Sequence, residues 1–129
     1  MQELSEELNR LSHDVIGAAI EVHRVLGPGF LERSYQRALA IELRIRGIQH
    51  TVEAPIHLDY KGESIGEGRI DILVGNDLVL ELKTVDRLSE IHEAQALAYL
   101  KATGHQLALL INFNTPVLKD GIKRIIRSD

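Results

Sequence analysis

Residues 70–86 read "IDILVGNDLVLELKTVD", two apolar runs separated by Gly75, Asn76 and Asp77, residue types that turn a chain back on itself. Three charges, Asp71, Glu81 and Lys83, sit inside those runs. Burying an unpaired charge costs several kcal/mol, so the segment needs a compensating use for them. Alternation along a strand puts Glu81 and Lys83 on one face and Leu78, Leu80 and Leu82 on the other. A three-residue hairpin loop at 75–77 sets Val74 opposite Leu78. Counting back from there pairs Asp71 with Glu81, about 5 Å apart, with an ammonium one strand step away. Two anions that close repel, which raises the pKa of one or draws in a divalent cation, and oxygen ligands suit Mg²⁺ or Mn²⁺. One lysine leaves one of the two carboxylates unbalanced. An exposed sheet face with a single cross-strand ion pair is the competing reading of the same spacing.

Working outward, the period changes from two to that of a helix on both sides. Leu8, Leu11, Val15, Ala19 and Val22 or His23 recur at helical spacing from Ser5 to about Leu26, where "LGPG" stops the pattern. A second helix is expected from Phe30 to about Arg46. It buries Leu31, Tyr35, Ala38, Leu39, Glu42 or Leu43, and Ile45, with Gly47 as a left-handed cap. Ile56, Leu58 and Tyr60 then alternate with His57 and Asp59, "KGES" turns, and strands follow around 65–74 and 78–83, a β-meander. Ser89 is a reasonable N-cap for a helix to Thr103 with Ile91, Gln95, Ala98, Tyr99 and Ala102 in its pattern, closed by Gly104. "QLALLINF" reads as a strand buried on both faces, and "GIKRIIR" as a short final strand. The order α-α-β-β-β-α-β predicts an α/β fold, a mixed sheet flanked by helices, in one domain over residues 1–129.

At 129 residues, 44% of them hydrophobic, the chain can bury a core of its own. It contains no cysteine, which excludes disulfides, thiolate metal sites and cysteine nucleophiles and agrees with a cytoplasmic location. The polar, acidic start "MQELSEELNRLSHD" has no signal-peptide core, and nowhere do about 18 apolar residues run together, so no membrane role is expected. A net charge of −4 argues against coating nucleic acid by charge alone. Arg24, Arg33, Arg37, Arg44 and Arg46, and Lys119, Lys123, Arg124 and Arg127, either build local basic surfaces or are solvated faces. There is no P-loop, dinucleotide-binding glycine pattern or nucleophilic serine motif.

"GRIDILVGNDLVLELK" resembles the signature of the PD-(D/E)XK nuclease superfamily, Asp71 matching its first acidic residue and Glu81-Leu82-Lys83 its ExK. "QALAY", Gln95 to Tyr99, is similar to the QxxxY element of the RecB-like branch. "GFLERSY", Gly29 to Tyr35, fits the GxxExxY motif of a family of small bacterial and archaeal proteins in that superfamily. "HRVLGPG", "LLINF" and "LKDGIKRI" extend the likeness over about residues 12–126.

The resemblance implies a restriction-endonuclease-like α-β-β-β-α-β core and a Mg²⁺- or Mn²⁺-dependent nuclease acting on DNA or RNA. In it Asp71 and Glu81 are metal ligands, the Leu82 carbonyl a further one, and Lys83 the catalytic lysine. Glu32 reaches the same site from the second helix, or interacts with its own helix N-terminus. Gln95 orients water, Lys83 or a phosphate oxygen, or ties helix to sheet. Arg69, two residues before Asp71, shares its expected face and meets a phosphate or pairs with a carboxylate. Tyr35 and Tyr99 pack with a polar tip or contact substrate. His23 reads as structural, and the other histidines lack metal-ligand spacing. The alternative is a non-catalytic nuclease-like interaction module in a DNA-processing or defence complex. A homo-oligomer or larger complex stays open.

Overall fold

The computed structural model describes residues 4–128. Helix α1 (Glu6–Leu26) opens where the Ser5 hydroxyl accepts from the Leu8 N–H at 3.0 Å, with Glu6 and Glu7 set against the helix's positive end. It stops at Gly27, whose φ of 69° needs glycine. Helix α2 (Glu32–Ile45) starts two residues later than the apolar pattern predicts. Its buried line is Tyr35, Leu39 and Leu43, whereas Phe30, Leu31 (77% exposed) and Ile45 (70%) point to solvent. Only the arc facing sheet and α1 can be covered, and residues at the extreme ends of a short helix fall outside it. The far end closes as expected. Gly47 sits at φ 71°, its N–H reaching the Arg44 carbonyl at 3.0 Å and the Ile48 N–H the Leu43 carbonyl at 2.9 Å, a Schellman closure.

Five strands follow: β1 (His50–Tyr60), β2 (Glu63–Val74), β3 (Leu78–Lys83), then, after helix α3 (Glu90–Thr103), β4 (Leu107–Asn112) and, after a short 3₁₀ turn at Leu118–Gly121, β5 (Ile122–Ile126). They lie in the order β1-β2-β3-β4-β5, antiparallel except for the β3–β4 pair. A parallel pair needs a crossover, and α3 supplies it. The predicted hairpin register holds, with Val74 opposite Leu78, Leu73 opposite Val79 and Ile72 opposite Leu80.

Helices cover both faces of the sheet. On one side Val15, Ala19 and Val22 of α1 and Leu39 and Leu43 of α2 meet Ile72, Val74, Leu78, Leu80, Leu82, Leu109 and Ile111. On the other, Ala96 and Leu100 of α3 meet Ala54, Ile56, Ile70, Val79, Ala108 and Ile125. The phase of α3 therefore differs from expectation: Ile91 is 73% exposed, and Gln95, Ala98 and Ala102 are also exposed. The helix is too uniformly alanine-rich for its apolar stripe to be read from sequence. Its Ser89 cap forms a reciprocal box with His92 in place of the usual glutamate. β4, between two strands and beneath helices on both faces, is buried at every residue, as its unbroken apolar run predicts.

Gly121 is where the chain returns to the sheet most tightly. A Cβ there would lie 2.4 Å from the Asn112 carbonyl oxygen and 3.0 Å from a Thr115 methyl. Asn112 belongs to a central strand and cannot retreat, so Gly121→Ala is expected to cost about 2 kcal/mol and lower Tm by roughly 5–10 °C. A thermal melt indistinguishable from the parent would show that the turn gives way instead.

Candidate active site

The β1–β2 and β2–β3 ladders are both interrupted at one place. Val52 pairs with Ile72 and Ala54 with Ile70, but no Glu53–Asp71 pair stands between them, and the β2–β3 ladder ends at Ile72–Leu80. Glu53 has φ 53°, left-handed backbone that a glutamate adopts only under constraint. Strand alternation also slips here: Ile70 packs under α3 whereas Ile72, two residues on, packs under α1 and α2. The expected direct Asp71–Glu81 ladder pair is thus one step beyond where pairing stops.

Other groups satisfy the freed polar atoms. Asp71 Oδ2 accepts from the Leu82 N–H at 2.7 Å, and Gln36 Nε2 of α2 donates to the Asp71 carbonyl at 3.0 Å. The Asp71 carboxylate therefore replaces a strand partner for β3 and is held against it. Glu81 follows Val79 on the α3-facing side and is 4% exposed, with Oε1 buried and without a hydrogen-bond partner. A buried charged acceptor left unpaired is costly, and a protonated Glu81 donating to the Asp71 carboxylate relieves that cost.

The electrostatics agree. Burial, above all, pushes Glu81 up to about 9, and the Asp71 charge and a contact with its carboxylate add to this while Lys83 opposes it. Asp71 is raised by burial too, against the Leu82 N–H, which favours its charged form. Glu32, at the start of α2, is raised by lost hydration and by Asp71, with Lys83 again opposing. Three carboxyl groups from α2, β2 and β3 thus feel one another and one ammonium. Among the described residues, however, no group of three or more His, Cys, Asp or Glu side chains forms a ready metal cage.

Lys83, the last residue of β3, directs Nζ to the Gln95 Oε1 at 3.1 Å and makes no ion pair with any described residue. The chain around it is fixed by a residue that motif reading missed. Asn112, opposite Lys83 in β4, donates to the Val85 carbonyl at 2.8 Å and accepts from the Val85 N–H at 3.0 Å, extending the ladder beyond its end. A polar residue closing the apolar run "LLIN" was its signal. Gln36 could have been found one helical turn after Glu32, on the same face. The bend at Glu53 has no sequence signature.

Three expected site residues sit differently. Tyr35 is fully buried; its hydroxyl donates to the Gly27 carbonyl and accepts from the Phe30 N–H, and its ring stacks on Phe113 at 4.5 Å. It therefore holds the loop before Glu32, the first of the two readings its sequence position allows, packing with a polar tip. Tyr99 is half-buried and packs over Gly68, where a Cβ would come within 3.3 Å of its hydroxyl. Arg69 is exposed, and the slip between Ile70 and Ile72 breaks the alternation that would give it Asp71's face. His23 is structural, its Nε2 lying 2.7 Å from the Thr115 carbonyl.

No curated protein matches the chain. Among solved structures, an alkaline exonuclease (LHK-Exo) from Laribacter hongkongensis is similar in fold, with a TM-score of 0.53 and 17% identity, covering 100% of this chain and 73% of that one. LHK-Exo in complex with dAMP gives a TM-score of 0.49 and 16% identity over 86% of this chain and 77% of that one. The five-stranded mixed sheet flanked by helices is a restriction-endonuclease-like core. A sequence profile of the PD-(D/E)XK nuclease superfamily matches residues 9–125, nearly the whole of the described chain, and on that match the protein belongs to this superfamily.

Proposed function

We propose that the protein is a divalent-metal-dependent nuclease hydrolysing phosphodiester bonds in DNA or RNA. In this reading it is a single nuclease-like domain of the GxxExxY family, within the RecB-like branch, working in the cytoplasm. The observation that carries the proposal is the buried Glu81 carboxyl group crowded against those of Asp71 and Glu32, with Lys83 as the one ammonium acting on all three. Asp71 and Glu81, with the Leu82 carbonyl and Glu32, offer an all-oxygen donor set that fits Mg²⁺ or Mn²⁺, ions that keep part of their water shell and need no complete protein cage. Bound there, such an ion neutralises the carboxylates, acidifies a water and stabilises charge on a phosphate.

The chain's own groups do the rest. Gln36 and the Leu82 N–H fix Asp71 from two directions, so the carboxylate is oriented before any ligand arrives. Gln95 holds the Lys83 ammonium at the open end of β3, where it can donate to a phosphate oxygen or orient the attacking water. Glu32 stands at the mouth of the site as a third carboxyl group.

The test is a panel of single- and double-stranded DNA and RNA incubated with purified protein and Mn²⁺. Cleavage is expected, abolished by a chelator and in Asp71→Asn. Calorimetry on the same preparation is expected to show Mn²⁺ binding in the parent and its loss in Asp71→Asn. Folded protein that binds no Mn²⁺ and cuts nothing on the panel would overturn the proposal in favour of the interaction-module alternative.

A further inference from the structure

We propose that the substrate's phosphodiester backbone docks along the outer flank of α2, held by a row of three arginines, Arg33, Arg37 and Arg44. This inference rests on the nuclease reading and adds to it where the polymer lies and which residues grip it.

Successive residues of a helix turn by about 100°, so positions 33, 37 and 44 fall within an arc of roughly 40°. Much of the rest of the helix surface faces the core, α1 or the Asp71 site. Tyr35, Leu39 and Leu43 face the core, and Ala38, Ile41 and Glu42 line the seam with Glu21, Val22, Val25 and Leu26 of α1. Glu32 and Gln36 face the Asp71 site. By the same rotation the arginine row lies between Gln36, about 60° to one side, and Ile41 of the α1 seam, about 40° to the other. All three arginines are exposed.

Among the described residues, none of the three side chains makes an ion pair or hydrogen bond, although the chain is acidic overall. Neighbouring helix-surface arginines are treated differently: Arg24 pairs with Glu21 and Arg46 with Glu42, both at 2.8 Å. Like charges one turn apart repel slightly, so an unpaired row on one flank has no stabilising role of its own. Beyond Arg44 the row runs into an open depression of about 530 Å³. Gly47, Gln49, His50, Thr51, Gly75 and Asn76 line it, and no acidic side chain does. The acidic groups Glu32, Glu53 and Asp71 gather instead at the opposite, cutting end.

From Arg33 to Arg44 the helix rises about 16 Å, which matches roughly five base-pair steps at 3.4 Å each. A site with three cations spaced over that length suits a polymer, since a mononucleotide cannot span from Arg33 to Arg44. Charge complementarity of an unpaired guanidinium row with spaced phosphates is the physical basis.

The test measures binding of a labelled 20-mer by fluorescence anisotropy in chelator, where nothing is cut, over a salt series. The parent is expected to bind with log K falling linearly in log salt. The Arg33→Ala, Arg37→Ala, Arg44→Ala triple variant should bind at least ~10-fold more weakly at 0.1 M salt, with a slope smaller by about 2 to 3. Each single variant should lose just under one unit of slope, which keeps the test decisive if the triple variant misfolds. The three lysine replacements together should restore the slope, and Arg24→Ala should leave it alone. Heats of Mn²⁺ binding should be the same in triple variant and parent. A parent that binds while the triple variant keeps the same slope overturns this inference and leaves the nuclease reading standing. A folded parent that binds no nucleic acid at any salt and cuts none overturns both.

Discussion

Replacing Lys83 with alanine is expected to slow phosphodiester cleavage by about 10³-fold while leaving the fold intact. The ammonium stands at the open end of β3, bonded to Gln95 at 3.1 Å and to no carboxylate, so its charge is free to act on a reacting phosphate or water. A structural lysine would be locked into an ion pair. The same substitution removes the one cation that opposes the raised pKa values of Glu81 and Glu32, so Mn²⁺ should bind Lys83→Ala at least as tightly as the parent. Weaker metal binding together with lost activity would mean that the variant had disordered the site. Gln95→Ala, which removes only the group that positions the ammonium, should cost closer to 10-fold. Single-turnover kinetics beside calorimetry separate these outcomes, and a Lys83→Ala protein that cuts at the parental rate would remove this residue from the mechanism.

The second large effect is on stability. Glu81 is pushed up to about 9 in the folded protein against an ordinary 4.5, and Asp71 and Glu32 are raised as well. Raised carboxyl groups bind protons in the native state that the unfolded chain has released. Metal-free stability is therefore greatest below about pH 4.5 as far as Glu81 is concerned, and falls as pH rises toward about 9. Glu81→Gln removes the buried ionisable group but keeps its shape. It should be more stable than the parent by on the order of 3 kcal/mol at pH 8, the gap closing toward pH 4.5. Millimolar Mg²⁺ should stabilise the parent at pH 8 and do little for Glu81→Gln. Denaturant melts across pH, with and without the ion, check this. Parallel stability curves for the two proteins would show that Glu81 is not held in the electrostatic trap described above.

The elements of the fold were legible because each obeys a local rule. Ser5 and Gly27 bound α1, Gly47 closes α2, and the loop at Gly75, Asn76 and Asp77 sets the β2–β3 register by length alone. That register brings Asp71 and Glu81 together, which is why a segment with three misplaced charges could be read as a site before any fold was known. The resemblance added Glu32 and Gln95, and the structure sets both beside the same charges. The arc that a helix buries was less legible. For α3 it is Ala96 and Leu100, and for α2 it stops short of Leu31 and Ile45, because the neighbour decides which part of an apolar surface is covered.

What the sequence by itself determined is the order of elements, the hairpin register and the identity of the charged residues, all set by turn chemistry and by side-chain period. Tertiary structure alone decided how the charges are held. Glu53 adopts a left-handed backbone, two ladders part at Asp71, Gln36 and the Leu82 N–H take up the freed groups, and Asn112 pins the chain beyond Lys83. Each of these joins residues distant in the chain through hydrogen bonds that residue type permits but does not compel. Only packing the helices onto the sheet brings those partners within reach.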